Sequence, residues 1–470
     1  MKELSRCHPL VEKLISADMG SSLSRKKTSN RPGLLWIRWE KTVLKNKHRI
    51  VLIEANTETA WMADSLTEEA VQLAESMSYF ARGTRIAFRL PNGAQWMTFF
   101  LAMQKCGLAA TPLDASLPDE ACLEMAQHLG CHALYLHGKI HLLEKKRKCA
   151  GDFCCIKVTS GTGGGLPKIV SCRSSHLIAD GTNIIRTMGI RPNDRNLAII
   201  PLGHSYGLGN FVMPLILQGT PLVCAARFVP RQLVDWIKLH HVTVFPSVPA
   251  IFRVLALMPI ESKLDPLRLA ISAGAPLTGE VAQAFHQRYG IKLHNFYGSS
   301  ETGGICYDRQ GNSTLQGRSV GKPLNGVTVK VKRHAIQVSS AAVAKPAGSW
   351  RTPDRGEWNK QGELVLLGRS GREANIGGKK LHPSEIEHAL RTLTGVSDAL
   401  AWVEKKSDRE ILHVAVETRL SLIEVQRGLA IKLPEWKHPK HYLLKHELPR
   451  SARGKIDVSA LRKEWAAQIK

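Results

Sequence analysis

Residues 158–168 read VTSGTGGGLPK, with hydroxyls at Thr159, Ser160 and Thr162, glycines at 161 and 163–165, and a lysine at 168. Such a stretch does not extend a helix or strand, because each glycine costs ordering entropy and contributes no side chain to packing. Two readings stand. One is a loop whose backbone N–H groups approach the oxygens of a polyphosphate, with hydroxyl donors and a lysine charge beside them. The other is a flexible surface turn. The strict nucleotide-loop spacing G-x-x-x-x-G-K-[ST] is not met, since Lys168 follows Pro167 and precedes Ile169.

On both sides of this stretch, short β-rich runs alternate with helical patterns. RIAFRL precedes a helical AQWMTFFLAMQKCG and then AATPLD. Further on come NLAIIPL, RQLVDWIKLHH, VTVFPS and a helix through VPAIFRVL, then LRLAISAG, EVAQAFHQRYG and KLHNFYG. Strand, helix, strand at this spacing predicts an α/β fold with parallel-rich sheets covered by helices, and functional residues in loops at the carboxyl ends of strands. The rhythm changes near residue 333, where VTVKVK gives way to a small-residue stretch, HAIQVSSAAVAKPAGS. From Gly371 onward a compact α+β pattern follows, with HPSEIEHALRTL and LIEVQRGLAIKL as helices and ALAWVE and LHVAVE as strands. A large N-terminal domain (1–369) and a small C-terminal α+β domain (370–470) are expected.

A chain of 470 residues exceeds what one hydrophobic core usually serves, which also predicts more than one domain. The net charge of +25 and the isoelectric point near 9.8 favour acidic partners. Basic runs at 24–49 and 144–148 read as solvated surface, because no aromatic ladder or nucleic-acid motif accompanies them. The ten cysteines show no C-x-x-C spacing, and Cys154 and Cys155 are too close to bridge, so reduced thiols in a cytoplasm are expected. The first twenty residues lack an apolar signal core, and prolines and glycines punctuate the uncharged stretch 196–226 too heavily for a membrane helix. A soluble protein is expected.

Several separated motifs between about residues 50 and 460 resemble, in order, the adenylate-forming superfamily of acyl-CoA and aryl-CoA synthetases, luciferases and peptide-synthetase adenylation domains. VTSGTGGGLPK resembles its phosphate loop T-S-G-T-T-G-x-P-K, with one residue more before the lysine; the match implies that Thr159, Ser160, Gly161, Thr162 and Lys168 hold ATP phosphates. NFYGSSETGG (295–304) resembles the Y-G-x-T-E segment, which implies Tyr297 against adenine, Ser300 on phosphate and Glu301 on Mg²⁺, with Asn295 and Gly298 beside them. SAGAPL (272–277) resembles the adenine-side loop, implying backbone contact through Gly274, Ala275 and Pro276. WRTPDRG (350–356) resembles W-R-T-G-D-x-G, placing Asp354 on the ribose, and Arg369 joins it from the hinge segment.

That hinge resembles the family's except that Gly371 stands where Asp or Lys is usual; glycine absorbs large backbone changes. Gly377 and Gly378 are implied as the region facing an incoming thiol. LPRSARGKID (448–457) resembles L-P-R-T-x-x-G-K-I and makes Lys455 the implied adenylation lysine, carried on a mobile lid. PLGHSYGLGNF (201–211) resembles the segment whose histidine faces the carboxylate, His204 here; a core histidine held by hydrogen bonds is the rival. Amino-acid-activating members of the family it resembles usually carry an Asp near this point to neutralise the substrate ammonium; HSYGLGNF contains no acidic residue, so the resemblance implies a carboxylic acid without an α-amino group.

The resemblance thus implies ATP-dependent, Mg²⁺-assisted formation of an acyl-adenylate, then transfer to the thiol of coenzyme A. Loading of an acidic acyl-carrier protein is the alternative acceptor, and a non-catalytic basic module that kept the fold is the alternative of another class.

Overall fold

The computed structural model describes residues 31–143, 152–159, 168–258, 263–369, 374–376, 379–381, 383–406, 409–450 and 456–468. They form two compact units. The first takes the described residues up to Val244 with Ser299–Gly303 and Ala341–Gly348; the second takes Phe245–Gly298, Gly304–Ser340 and the described residues from Ser349 on.

In the first unit, Arg85–Phe88 runs parallel to Ala109–Pro112 on one side and to Ala133–Leu136 on the other, and Ala109–Pro112 runs parallel to Phe153–Thr159. The two strands that flank Arg85–Phe88 are buried along their whole length, as expected of parallel strands covered on both faces. Antiparallel partners close the edges: Lys139–Leu142 on Ala133–Leu136, and Lys168–Arg173 on Phe153–Thr159. A further set runs Asn196–Ala198, Leu222–Cys224 and Ile50–Glu54 in parallel, with Thr59–Met62 antiparallel at its end. The helix Ala94–Lys105 buries Trp96, Phe99, Phe100 and Met103 and lies inside the unit. By contrast, Leu34–Asn46 buries Leu35, Trp36, Trp39 and Thr42 on one face and leaves Arg38, Lys41 and Lys45 in solvent. That part of the basic run is therefore the wet side of an amphipathic helix.

In the second unit, Leu269–Ser272 lies parallel to Leu293–Ser299, with Ser272 opposite Asn295. Four strands, Thr328–Lys332, Ala335–Ser339, Ser349–Trp358 and Leu364–Arg369, form an antiparallel sheet. The small-residue stretch after 333 therefore does not end the sheet: Ile336 and Val338 alternate inward against Gln337 and Ser339. Beyond Leu381, Val396–Lys406 and Arg409–Thr418 pair antiparallel, and His441–Lys445 adds a parallel strand. Ala399 and Ala401 pack with Leu412, Val414 and the helices Pro383–Arg391 and Leu422–Lys432. Leu400 and Trp402 point the other way, onto Leu443, Leu448 and Leu461. Strand alternation thus gives this sheet a hydrophobic layer on each face. No described helix is long and apolar enough to cross a membrane.

Candidate active site

Tyr297 and Asp354 meet in the second unit. Tyr297, on Leu293–Ser299, donates its hydroxyl to Asp354 Oδ2 at 2.6 Å. Thr352 Oγ1 donates to the Asp354 carbonyl at 3.2 Å and holds the backbone of that turn. Burial, followed by the Asp354 charge, pushes the Tyr297 pKa well above its usual value, so the phenol stays a donor. Arg369 faces Asp354 in the register of the two strands. Gly274, Ala275 and Pro276 begin two residues after the end of Leu269–Ser272, with Gly274 and Pro276 exposed and Ala275 half-buried. Asn295 donates its amide Nδ2 to the Ser319 carbonyl at 3.2 Å and its backbone N–H to Thr314 Oγ1 at 2.9 Å, which fastens the neighbouring loop. Gly298 is exposed beside Tyr297.

The first unit carries the residues expected on phosphate and acid. Thr159 and Lys168 stand opposite each other where the antiparallel pair Phe153–Thr159 and Lys168–Arg173 ends, so the strands bring together the two ends of the glycine-rich loop. Ser300 and Glu301 belong to the turn that follows Leu293–Ser299. Ser300 is held from two directions: Ser205 Oγ donates to Ser300 Oγ at 2.9 Å, and the Lys157 ammonium donates to the Ser300 carbonyl at 3.2 Å. The Glu301 carbonyl accepts the Ala344 N–H at 2.8 Å. The turn is pinned at consecutive residues.

His204 precedes Ser205–Gly207, and its Nδ1 accepts the Tyr206 N–H at 3.3 Å, so the neutral ring carries its proton on Nε2. A π-helical turn, Leu208–Val212, follows; such turns cost regular hydrogen bonding and gather at functional sites. The chain can fold this tightly only because residue 207 is glycine: a Cβ there would lie 2.1 Å from the Pro201 carbonyl oxygen. Asn210 Nδ2 donates back to the Tyr206 carbonyl at 3.2 Å and satisfies the turn from within.

Toward the C-terminus, Arg450 pairs with Ile456 in an isolated antiparallel bridge, and Asp457 N–H donates to the Pro449 carbonyl at 2.7 Å. The ends of the segment carrying Lys455 are thereby joined. The Arg450 guanidinium is anchored on Glu417 Oε2 at 2.7 Å and Asp398 Oδ2 at 3.1 Å, and Arg253 also pairs with Glu417.

A family model described as AMP-binding enzyme matches residues 39–151 and 141–338. The chain belongs to the AMP-binding enzyme family. Its relatives include the 4-hydroxybenzoate–CoA/benzoate–CoA ligase of Rhodopseudomonas palustris, 27% identical over 353 residues, a match covering 67% of this chain and 65% of the relative. Another is the probable 4-coumarate–CoA ligase 1 of Dictyostelium discoideum, 26% identical over 349 residues, covering 65% and 62%. The match spans less than two thirds of the length of either relative. Among solved structures, the fold is similar to that of ATP-bound MatB from Rhodopseudomonas palustris, with a TM-score of 0.80 at 20% identity over 93% of this chain and 100% of that one.

In this AMP-binding enzyme Ser160, Gly161, Thr162, Gly371, Gly377, Gly378 and Lys455 lie outside the described residues, and Thr159, Lys168 and Arg369 are placed by their backbone. Lys157 and Ser205, which both bond to the candidate residue Ser300, were passed over in the sequence reading. A lysine inside the apolar run CCIKV was the available signal for the first; nothing in HSYG marks the second as a partner of Ser300.

Proposed function

We propose that this AMP-binding enzyme is an AMP-forming acid–thiol ligase: it activates a carboxylic acid with ATP and passes the acyl group to a pantetheine thiol. The Tyr297–Asp354 hydrogen bond carries this reading, because it fastens together two residues, 57 positions apart, that separate motifs assign to adenine and ribose. Relatives named as CoA ligases of aromatic acids support the same chemistry.

In the first half-reaction the carboxylate oxygen attacks the α-phosphorus of ATP, the bond to the leaving pyrophosphate breaks, and an acyl-adenylate forms. Tyr297 and the 274–276 turn take the adenine, Asp354 and Arg369 the ribose, and the 159–168 loop with Ser300 the phosphates. Lys455 brings a cation to the charge that accumulates between the two anions. Mg²⁺, when bound, neutralises phosphate charge, and Glu301 supplies a hard oxygen for it. One carboxylate suits a cation carried mainly on substrate phosphates; among the described residues no His/Cys/Asp/Glu cluster of three or more offers another metal site. In the second half-reaction the lid, residues 370–470, turns about 369–371, and a thiol attacks the acyl carbon and expels AMP. His204 lines the acid side. A cytoplasmic setting fits thiols such as Cys106, Cys131 and Cys224, which are free and buried.

ATP–pyrophosphate exchange across a panel of carboxylic acids tests the reading: at least one acid supports exchange, and Lys455→Ala lowers that rate by roughly 10²-fold or more. No exchange with any acid, alongside tight salt-sensitive binding of RNA or DNA, overturns it in favour of a binding module. Coenzyme A is the proposed acceptor. The +25 charge favours an acidic carrier protein as a second reading; thioester formation that falls steeply with salt for a carrier protein alone identifies that acceptor.

A further inference from the structure

Lys157 lies in the middle of Phe153–Thr159, two residues before Thr159, and is only 4% exposed. A buried ammonium is costly unless it is paired and hydrogen-bonded. Its Nζ donates to the Ser300 carbonyl, 143 residues further along the chain. Burial opposes its charge, but the Cys172 sulfur and the Asp180 carboxylate outweigh burial, and its pKa lies above the usual lysine value. Burial also pushes the Cys172 thiol up, while the Lys157 charge beside it acts in the opposite direction. Asp180, 4% exposed on the helix Ser174–Met188, lies against the backbone of the same turn: a Cβ on Gly303 would sit 2.3 Å from Asp180 Oδ1.

The ammonium thus holds one end of the short segment 300–303 while the Asp180 carboxylate lies close against the other, and the lysine stands on the strand that leads into the glycine-rich loop. Any buried ammonium must find an acceptor, and this one finds it in a turn that carries two of the candidate residues, Ser300 and Glu301. We propose that Lys157 is a positioning residue for nucleotide binding, which uses its buried ammonium to hold the Ser300 carbonyl and so present Ser300 Oγ and the Glu301 carboxylate to the phosphates and their metal. The inference rests on the assignment of Ser300 and Glu301 to MgATP.

Two neutral variants test it. Lys157→Met keeps an unbranched chain of similar length without a donor; Lys157→Gln keeps an N–H donor without the charge. Exchange kinetics and equilibrium binding of MgATP are measured for both and for the wild type, together with the thermal midpoint. The expected result is a KM for MgATP raised about tenfold in Lys157→Met (~1.4 kcal/mol) and a higher Mg²⁺ requirement, with the KM for the carboxylic acid unchanged. Lys157→Gln recovers part of the loss, and remains informative where Lys157→Met does not fold. A KM for MgATP within twofold of wild type in the folded variants, or a lowered midpoint with unchanged MgATP affinity, overturns the inference and leaves the ligase reading standing. A wild-type protein that neither exchanges pyrophosphate nor binds MgATP overturns both.

Discussion

The Arg450 guanidinium stands 2.7 Å from the carboxylate of Glu417, whose side chain is wholly buried. The same guanidinium reaches Asp398, and the Leu448 N–H also donates to Glu417 Oε2, at 3.2 Å. Removing one partner of a buried charge pair costs ~3–5 kcal/mol, because a desolvated charge is left behind. Arg450→Met is expected near the lower end of that range, since Arg253 still pairs with Glu417 and Arg391 with Asp398. Denaturant unfolding measures this. Pyrophosphate exchange should fall with it, because the Arg450 side chain anchors on Asp398 and Glu417 one end of the segment that carries Lys455.

Tyr297→Phe separates the ring from the hydroxyl. The phenyl face keeps its stacking surface, while Asp354 loses a 2.6 Å hydrogen bond. Hydrogen bonds to charged groups contribute ~1.5–3 kcal/mol, so the KM for ATP is expected to rise about tenfold or more. The pH dependence has a definite sign. Because the folded pKa of Tyr297 lies above that of the free phenol, its contribution is fully present below about pH 10 and is lost only at higher pH. Wild-type kcat/KM for ATP should show no tyrosine-linked decline up to that pH.

Ser205→Ala removes the hydroxyl that donates to Ser300 Oγ. One neutral hydrogen bond is worth ~1 kcal/mol net, which corresponds to about a fivefold loss in kcat/KM for ATP. The unfolding midpoint should scarcely move. A large change in stability without a change in kinetics would show that the hydroxyl pair is only a packing contact.

Gly303→Ala asks whether the turn tolerates any displacement. Gly303 has φ of +69°, and a Cβ there would meet the Asp180 carboxylate at 2.3 Å. Left-handed backbone at a non-glycine residue costs ~1–3 kcal/mol before the clash is counted. A lowered thermal midpoint and a raised KM for MgATP are expected together.

Much of the architecture was legible in the chain. The runs RIAFRL, NLAIIPL and LRLAISAG became strands, and AQWMTFFLAMQKCG and EVAQAFHQRYG became helices: short apolar runs between turn residues mark strands buried on both faces, and longer uninterrupted segments mark helices. The strand Ala335–Ser339 was hidden by its small-residue surroundings, although the alternation of Ile336 and Val338 was there to be read. The residues proposed for adenine and ribose each sit in a local motif, which is what made them readable as candidates.

Local order along the chain decided which segments are strand, helix or loop, and which of them carry hydroxyls, carboxylates and lysines suited to a nucleotide. Only the tertiary structure decided that Tyr297 rests on Asp354, that Ser205 meets Ser300 across 95 residues, and that Lys157 spends its buried charge on the carbonyl of that same serine. A periodic pattern specifies the face an element turns to the core, whereas the partner found there depends on how distant elements pack. A lysine in an apolar strand is therefore an oddity in the sequence and a constraint on the turn once the chain has folded.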